Sequence, residues 1–172
     1  MSHDKEVYVL DTNALFNTLK NISDSSTASQ ESIDKLKAAD CYISELSTLE
    51  IKSVLGKYAR GGQGAAKKMS KKMINQWQKL IKEVTEGSSK IFRVKIIPFD
   101  NMILKEAKSV INYTIIHNFG SLDSIIMATT KILISQNGYE NAKLVTSDKG
   151  MLAGLYRCGI PSWNAFPEKD HI

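Results

Sequence analysis

An α/β fold with a mostly parallel sheet is the fold class that the sequence predicts. Short apolar segments alternate along the chain with segments whose apolar residues recur every three or four positions, as strands alternate with helices. The first apolar run, Tyr8–Leu10, is continuous, which is typical of parallel strands covered by helices on both faces. With 172 residues, the chain can bury a large core in one domain. We therefore expect a single domain over residues 1–172.

The first half of the chain shows this alternation clearly. Residues 14–19 are predicted to form the beginning of a helix soon after the first strand. A polar loop and a short helix around Ile33 and Leu36 then precede a second strand at 41–44. The helix after this strand is predicted to be broken by the four glycines of residues 56–64.

A longer amphipathic helix is predicted from Ala65 onward. Its apolar face should include Met69, Met73 and Trp77, with lysines on the opposite face.

The second half continues the pattern. A third strand is predicted at 92–98, and Asp100 is placed to cap the helix that follows it. After a further helix come a fourth strand at 142–148, a short helix at 151–156 and a last strand at 159–163. Because strands alternate with helices throughout, the crossovers should be right-handed and the sheet mostly parallel.

Composition narrows the class of protein. Lys and Arg outnumber Asp and Glu by 23 to 18, so the net charge is +5 and favours a polyanionic partner. No apolar run reaches the roughly 18 residues of a membrane helix, and the polar N-terminus does not resemble a secretory signal. We expect a cytoplasmic protein without a membrane partner. Cys41 and Cys158 are expected to be buried free thiols.

Acidic residues follow several of the predicted strands. Asp11 comes directly after the first strand, where an acid has no evident structural role, and Asp148 ends the fourth. Glu50 lies six residues beyond Ser44, the end of the second strand, and Asp123 lies in the first turn of a helix. The carboxyl ends of parallel strands meet at one edge of a sheet, where ligands bind.

Four converging carboxylates would repel one another, and a bound cation would offset that cost. Oxygen ligands without a Cys or His cluster suit Mg²⁺ or Mn²⁺ rather than zinc. In a basic protein such a site suggests metal-assisted hydrolysis of a phosphodiester. Structural roles remain open for three of the acids: Asp123 at a helix N-terminus, Asp148 as a helix cap and Glu50 on a helix surface.

Five segments, taken in order, resemble one known family. They are "VYVLDTNALF", "ISELSTLEI", "IIPFD", "GSLDSIIMATT" and "LVTSDKGM". As a set they resemble the PIN-domain nucleases, and most of all the VapC-like toxin ribonucleases of prokaryotic toxin–antitoxin pairs. The resemblance implies a Rossmann-like three-layer sandwich with strand order 3-2-1-4-5. It also implies Mg²⁺- or Mn²⁺-dependent cleavage of RNA, and it raises an antitoxin protein and a second copy of the chain as partners.

The resemblance also assigns roles to residues. Asp11, Glu50, Asp123 and Asp148 match the family's acidic catalytic residues. Metal binding is expected from Asp11, Asp123 and Asp148. Supporting polar positions match Asn13, Ser44 and Thr146.

The chain departs from the family in two places. Many relatives carry an acid and a phenylalanine after the last aspartate, where this chain has Gly150 and Met151, so a fifth acid is missing there. The chain is also longer than compact VapC toxins, with surplus residues in 21–40 and 56–90.

The second surplus segment is a basic helical insertion. Its candidate RNA-binding residues are Lys57, Arg60, Lys67, Lys68, Lys71 and Lys72. These cations are expected either to track RNA phosphates beside the acidic site or to form an ordinary solvated helix face. His117, shortly before Asp123, is a loop residue that could also touch substrate.

Other functions remain open. An RNA-processing or degenerate PIN module could bind RNA or protein without cleavage. A metal-dependent phosphatase of the haloacid-dehalogenase type would need a second Asp two residues after the first, where this chain has Asn13.

Overall fold

A computed structural model describes residues 5–24, 30–61 and 68–167. The strands in these ranges are β1 Val7–Leu10, β2 Asp40–Ser44, β3 Lys95–Ile97, β4 Lys143–Val145 and β5 Ser162–Trp163. The helices are α1 Thr12–Asp24, α2 Gln30–Ala38, α3 Glu45–Arg60, α4 Lys71–Thr85, α5 Asn101–Val110, α6 Ser121–Ile134 and α7 Lys149–Arg157, with a 3₁₀ helix at Ile111–Ile115.

The five strands form one all-parallel sheet in the order β3-β2-β1-β4-β5, which confirms the predicted fold class and strand order. The central strand β1 is buried along its whole length. Its residue Val9 lies opposite Tyr42 of β2 and Leu144 of β4. Parallel strands flanked by strands on both sides and helices on both faces are apolar throughout, as Tyr8–Leu10 is.

Side chains alternate between the two faces of the sheet and divide the core into two main layers. Tyr8 and Leu10 pack with residues of α1 to α4, whereas Val7 and Val9 pack with residues of α5, α6 and α7. This alternation has the period of two that a strand imposes. The molecule is therefore the three-layer sandwich that the sequence predicts.

Several elements have different bounds from those predicted. Helix α1 begins at Thr12 and extends to Asp24, well into the segment predicted to be a polar loop. Strand β3 covers only Lys95–Ile97 of the predicted 92–98, the residues paired with β2, and Pro98 has no N–H with which to continue the ladder.

The helix after β2 ends within residues 56–64, as predicted, but the first glycine of that segment does not break it. Helix α3 continues through Gly56 and ends at Gly61, whose φ of 67° is left-handed. One glycine inside a helix costs only about 1 kcal/mol relative to alanine. Burial of Ile51 and Leu55, on the core side of α3, offsets that cost.

The predicted start of the next helix at Ala65 is wrong for the residues that the structure describes. Residues 62–67 lie outside the described part of the chain, and residues 68–70 are not helical. Helix α4 begins at Lys71, and its cap Ser70 accepts a hydrogen bond from the backbone N–H of Met73.

The predicted apolar face of α4 is partly wrong. The core-facing side chains are Ile74, Ile81 and Val84, with Trp77 half-buried beside them. Met73 precedes Ile74 by one residue, about 100° around the helix, and is 45% exposed.

Two expectations from composition can also be compared with the structure. Cys41 is buried and Cys158 half-buried, and both are free thiols. Among the described helices, none has the length and apolar character needed to cross a bilayer.

Candidate active site

Asp11 stands where the central strand passes into the first helix. Its side chain is only 4% exposed, and its Oδ1 accepts a hydrogen bond from the backbone N–H of Ala14. The Thr146 side chain forms a second hydrogen bond with the carboxylate. Because α1 begins at Thr12, Asp11 is the N-cap of that helix, a structural role that the sequence analysis did not foresee.

The Asp11 carboxyl group is electrostatically coupled to its neighbours. Burial raises its pKa from the usual 3.8 to about 6, and the negative charges of Asp123 and Glu50 add to the increase. The hydrogen bonds from Thr146 and Ala14 oppose it. A buried carboxylate with a raised pKa beside two other acids is a common feature of functional sites.

Asp123 lies in the first turn of α6. Its Oδ2 accepts a hydrogen bond of 2.6 Å from the backbone N–H of Gly120, the N-cap residue, so Asp123 stabilises the start of α6. Burial raises its pKa, as do the negative charges of Asp148 and Glu50, whereas the Gly120 hydrogen bond lowers it.

Asp148 and Glu50 also have structural partners. Oδ1 of Asp148 accepts a hydrogen bond of 2.7 Å from the N–H of Met151 and caps α7. Glu50 accepts a hydrogen bond from the Thr12 hydroxyl, which joins α3 to α1. The structural roles left open for Asp123 and Asp148 are thus present in the fold, and Glu50 is half-buried rather than on an open helix surface.

Two polar side chains at the end of β2 and the start of α3 are also buried. Ser44 and Ser47 are completely buried, and within the described residues neither hydroxyl has a hydrogen-bond partner. Ser47 was missed by the sequence analysis. The spacing of the sequence could have indicated Ser47, because it lies three residues after Ser44 and three before Glu50, on one helix face.

The other supporting positions differ in their surroundings. Thr146 is completely buried, and its hydroxyl also accepts a hydrogen bond of 3.1 Å from the backbone N–H of Asp148. It therefore contacts two of the acidic residues. Asn13 is exposed on the first turn of α1.

The donor set fits a hard divalent cation, although its side chains are not arranged as ligands. In the described part of the chain, no three His, Cys, Asp or Glu side chains are positioned to hold a metal ion. Each acid instead uses one oxygen to accept a hydrogen bond from the protein. A carboxylate has about four acceptor positions. The capping contacts therefore do not exclude a cation. The Ser44 hydroxyl, buried without a partner among the described residues, is a further oxygen at the carboxyl end of β2.

A close backbone contact explains the missing fifth acid. A Cβ atom on Gly150 would lie 1.9 Å from the carbonyl oxygen of Asn118. One turn later, a Cβ on Gly154 would lie 2.7 Å from Cε1 of Phe119. The loop before α6 thus packs directly on α7, and any side chain at Gly150 would displace it. His117 is in the same loop, and its Nε2 is buried without a hydrogen-bond partner among the described residues.

Comparison of the sequence with known families gives one match. The model of the PIN domain family matches residues 8–154. The chain belongs to the PIN domain family. This membership supports a nuclease activity. Comparison with curated proteins finds no match.

Solved structures share the fold of this PIN domain at low sequence identity. FitAcB from Neisseria gonorrhoeae is 18% identical with a TM-score of 0.57, over 92% of this chain and 97% of that one. VapBC2 from Rickettsia felis, bound to a promoter DNA fragment, is 19% identical with a TM-score of 0.56, over 92% and 98%. DNA-bound VapBC from Salmonella typhimurium is 14% identical with a TM-score of 0.55, over 94% and 99%.

The basic segment of this PIN domain is fastened to α1 by aromatic stacking. The ring of Phe16 stacks on Trp77 of α4 at 4.5 Å and on Tyr58 of α3 at 5.7 Å. The backbone N–H of Val94 bonds to the carbonyl of Val84, which brings the end of α4 to the start of β3. Helix α4 has 15 residues and is about 22 Å long. Because Trp77 stacks near the start of α1, which follows the carboxyl end of β1, whereas the end of α4 meets β3, the first turn of α4 lies toward the carboxyl edge.

The candidate RNA-binding residues occupy that end of the segment. Lys57 and Arg60 are exposed in the last turn of α3. Lys68 is exposed just before α4, and Lys71 and Lys72 are exposed in its first turn. Lys67 lies outside the described residues. The later lysines of α4 form ion pairs instead: Lys79 with Glu83 at 3.8 Å and Lys82 with Glu86 at 3.9 Å.

Proposed function

We propose that this PIN domain is a Mg²⁺- or Mn²⁺-dependent endoribonuclease that hydrolyses phosphodiester bonds in single-stranded or structured RNA. The observation that carries the proposal is the meeting of Asp11, Glu50, Asp123 and Asp148 at the carboxyl edge. They come from four different parts of the chain, and the proposal is supported by the effect of the Asp123, Glu50 and Asp148 charges, which raise the pKa of Asp11 or of Asp123.

Under this proposal each acid has a defined role. Asp11, Asp123 and Asp148 would hold the cation, and Glu50 would orient the attacking water. The Thr12 hydroxyl fixes the position of Glu50, and Thr146 fixes that of Asp11. A divalent cation at this place would lower the pKa of the attacking water and neutralise charge on the phosphate. Burial strengthens these interactions by limiting solvent screening.

The cations near the start of α4 would bind the RNA backbone. Lys57, Arg60, Lys68, Lys71 and Lys72 present positive charge toward the carboxyl edge, where the scissile phosphate would lie. Lys67, which lies outside the described residues, is proposed to bind RNA only on the basis of its position in the sequence. Because binding to phosphates releases counterions, this contribution should weaken steeply with salt.

A toxin role is the finer part of the proposal. The solved structures that share this fold include VapBC assemblies from two bacteria, both bound to DNA. By analogy of fold, we propose that this chain is the toxin of such a pair and binds an antitoxin protein. The expected homodimer and the cytoplasmic location stay predictions.

Cleavage of a labelled single-stranded RNA tests the catalytic proposal. We expect cleavage with Mg²⁺ or Mn²⁺ and none with EDTA. Asp148→Asn should reduce cleavage to the level seen with EDTA, although Asn still caps α7. The matched control is Asp100→Asn, because Asp100 caps α5 through the N–H of Ile103 at 2.8 Å and lies outside the acidic site.

The same assay separates the enzyme from a binding module. If RNA binds but is not cleaved with either cation, the alternative of a non-cleaving PIN module is correct. Cleavage that is unaffected by EDTA would contradict the proposed metal site. Equal activity of the Asp148 and Asp100 variants would contradict the role given to Asp148.

A further inference from the structure

A second charged feature lies at the opposite edge of the sheet from the acidic site. It is a cleft of about 390 Å³ at the amino ends of β1, β2 and β3, closed on one side by the end of α2. Its charged lining residues are Lys5, Lys37, Asp40, Lys90, Arg93 and Lys95. We call this feature the amino-edge cleft. None of its residues belongs to the proposed active site or to the basic segment at the start of α4.

The amino-edge cleft has a strong excess of positive charge. Five cations and one acid line it, a net charge of 5 − 1 = +4. The single acid is already neutralised, because Oδ1 of Asp40 lies 3.0 Å from Nζ of Lys5 and 3.5 Å from Nζ of Lys95. The cleft therefore contains more cations than its own acid can balance.

The remaining cations have no acidic partner in the part of the chain that the structure describes. Within the described ranges, no carboxylate forms an ion pair with Lys37, Lys90 or Arg93. The Nε–H of Arg93 donates to the backbone carbonyl of Ser89 at 2.7 Å, which orients its guanidinium group. Globular protein surfaces usually intersperse charges of both signs, so an unbalanced group of cations favours an anionic ligand.

Helix structure gives a reason for the position of only one of these three cations. A lysine in the last turn of a helix interacts favourably with the helix dipole, which accounts for Lys37 at the end of α2. Lys90 and Arg93 lie in an irregular segment and have no such role. Between them Ile91 is 55% exposed and adds an apolar surface to the cleft. Cations around an apolar surface suit a nucleic-acid strand, whose phosphates alternate with sugars and bases.

We propose that the amino-edge cleft binds the phosphate backbone of RNA at a distance from the cleavage site. This inference rests on the proposed RNA substrate. Helix α4 spans the distance between the two basic surfaces, about 22 Å, or roughly six stacked nucleotides at about 3.4 Å each. Lys79 and Lys82, which lie between the surfaces, are paired with glutamates. The RNA path thus consists of two separate contacts, and only a long RNA reaches both.

Binding of RNAs of two lengths tests the inference. Fluorescence anisotropy in EDTA, on the full chain, measures the affinity for single strands of about 4 and about 25 nucleotides, since four stacked nucleotides cover only about 14 Å. The test variant is Lys90→Gln/Arg93→Gln, and Lys37→Gln/Lys90→Gln is a second variant that keeps the Arg93–Ser89 hydrogen bond. The control is Lys105→Gln/Lys108→Gln, which removes the same charge from an exposed part of α5.

We expect both cleft variants to weaken binding of the long RNA about tenfold and to leave the short RNA unchanged. The slope of log affinity on log salt should become shallower by about 1.4 for the long RNA, at about 0.7 per phosphate contact. The control variant should keep the wild-type slope. Cleavage of the short RNA by the cleft variants, with Mg²⁺, should equal that of the wild type.

Each contrary result has a defined meaning. Long-RNA slopes equal to the control would overturn the cleft inference while leaving cleavage, and so the proposed function, intact. A shallower slope without any RNA cleavage would support the cleft and contradict the proposed catalysis. An acidic peptide that binds only when the cleft is intact, with unchanged RNA binding, would assign the cleft to a protein partner and overturn the inference.

Discussion

Substitution of Asp11 by asparagine should stabilise the protein while it abolishes activity. Asparagine keeps a side-chain oxygen that can accept the hydrogen bond from Ala14, so the cap of α1 is retained. The substitution removes a buried negative charge that lies beside Asp123 and Glu50. The Asp11 carboxylate, which serves the proposed chemistry, therefore lowers the stability of the metal-free protein.

The size of the effect follows from the pKa of Asp11. In the native state this pKa is about 6, compared with the usual 3.8. At about 1.36 kcal/mol per pKa unit, the difference corresponds to about 3 kcal/mol. Between pH 4 and 6 the native state binds more protons than the unfolded state, so the free energy of unfolding falls as pH rises through this range. The Asp11→Asn variant does not lose stability in this pH range through residue 11, because asparagine does not titrate.

Urea unfolding in EDTA, followed by circular dichroism from pH 4.5 to 8, measures the difference. Asp11→Asn should exceed the wild type by about 3 kcal/mol at pH 8, about 6–12 °C in Tm, with the gap closing toward pH 4. Mg²⁺ should narrow the gap by stabilising only the wild type. Asp100→Asn should change stability by less than about 0.5 kcal/mol. A variant that is less stable than the wild type, or a gap independent of pH, would refute this reasoning.

Three further predictions concern the metal, the loop before α6 and the basic segment. Calorimetry of Mg²⁺ binding at pH 6 should give heats that depend on the buffer, since the raised acidic pKa values require proton release; equal heats would contradict this. Gly150→Ala should displace Asn118 and raise the Mg²⁺ concentration needed for half-maximal cleavage; an unchanged Mg²⁺ requirement would contradict this. Lys71→Gln/Lys72→Gln should make the salt slope of RNA binding shallower by about 1.4, and an unchanged slope would indicate a solvated helix face.

The acidic site was predictable from the sequence because its signals are local. A continuous apolar run ending in Asp11 marks the carboxyl end of a strand, and "LVTSD" marks another at Asp148. Parallel strands place all such ends at one edge, so these residues could be assigned to a common site without coordinates. What the local signals could not show is that Asp11 also caps α1, because the helix begins two residues earlier than its apolar pattern does.

Helix limits and helix faces were less predictable. The glycines of residues 56–64 were expected to break α3, and the helix does end there at Gly61, yet packing of neighbouring apolar side chains carries it through Gly56. Met73 was expected to be buried, yet the core-facing side of α4 begins at Ile74. Intrinsic propensities differ by about 1 kcal/mol or less, whereas burying one large apolar side chain contributes about 1.5–3 kcal/mol, so tertiary packing decides such positions.

The periodicity of apolar residues was enough to derive the α/β class, and the position of acids after strands was enough to predict the acidic site. Both depend on residues that are neighbours in sequence. Only the folded chain brings Lys5 and Lys37 beside Lys90 and Arg93, or the carbonyl of Asn118 against Gly150. Such groups form across layers and between loops, where distance in space is independent of distance along the chain. For that reason the amino-edge cleft and the absence of a fifth acid could be explained only from the tertiary structure.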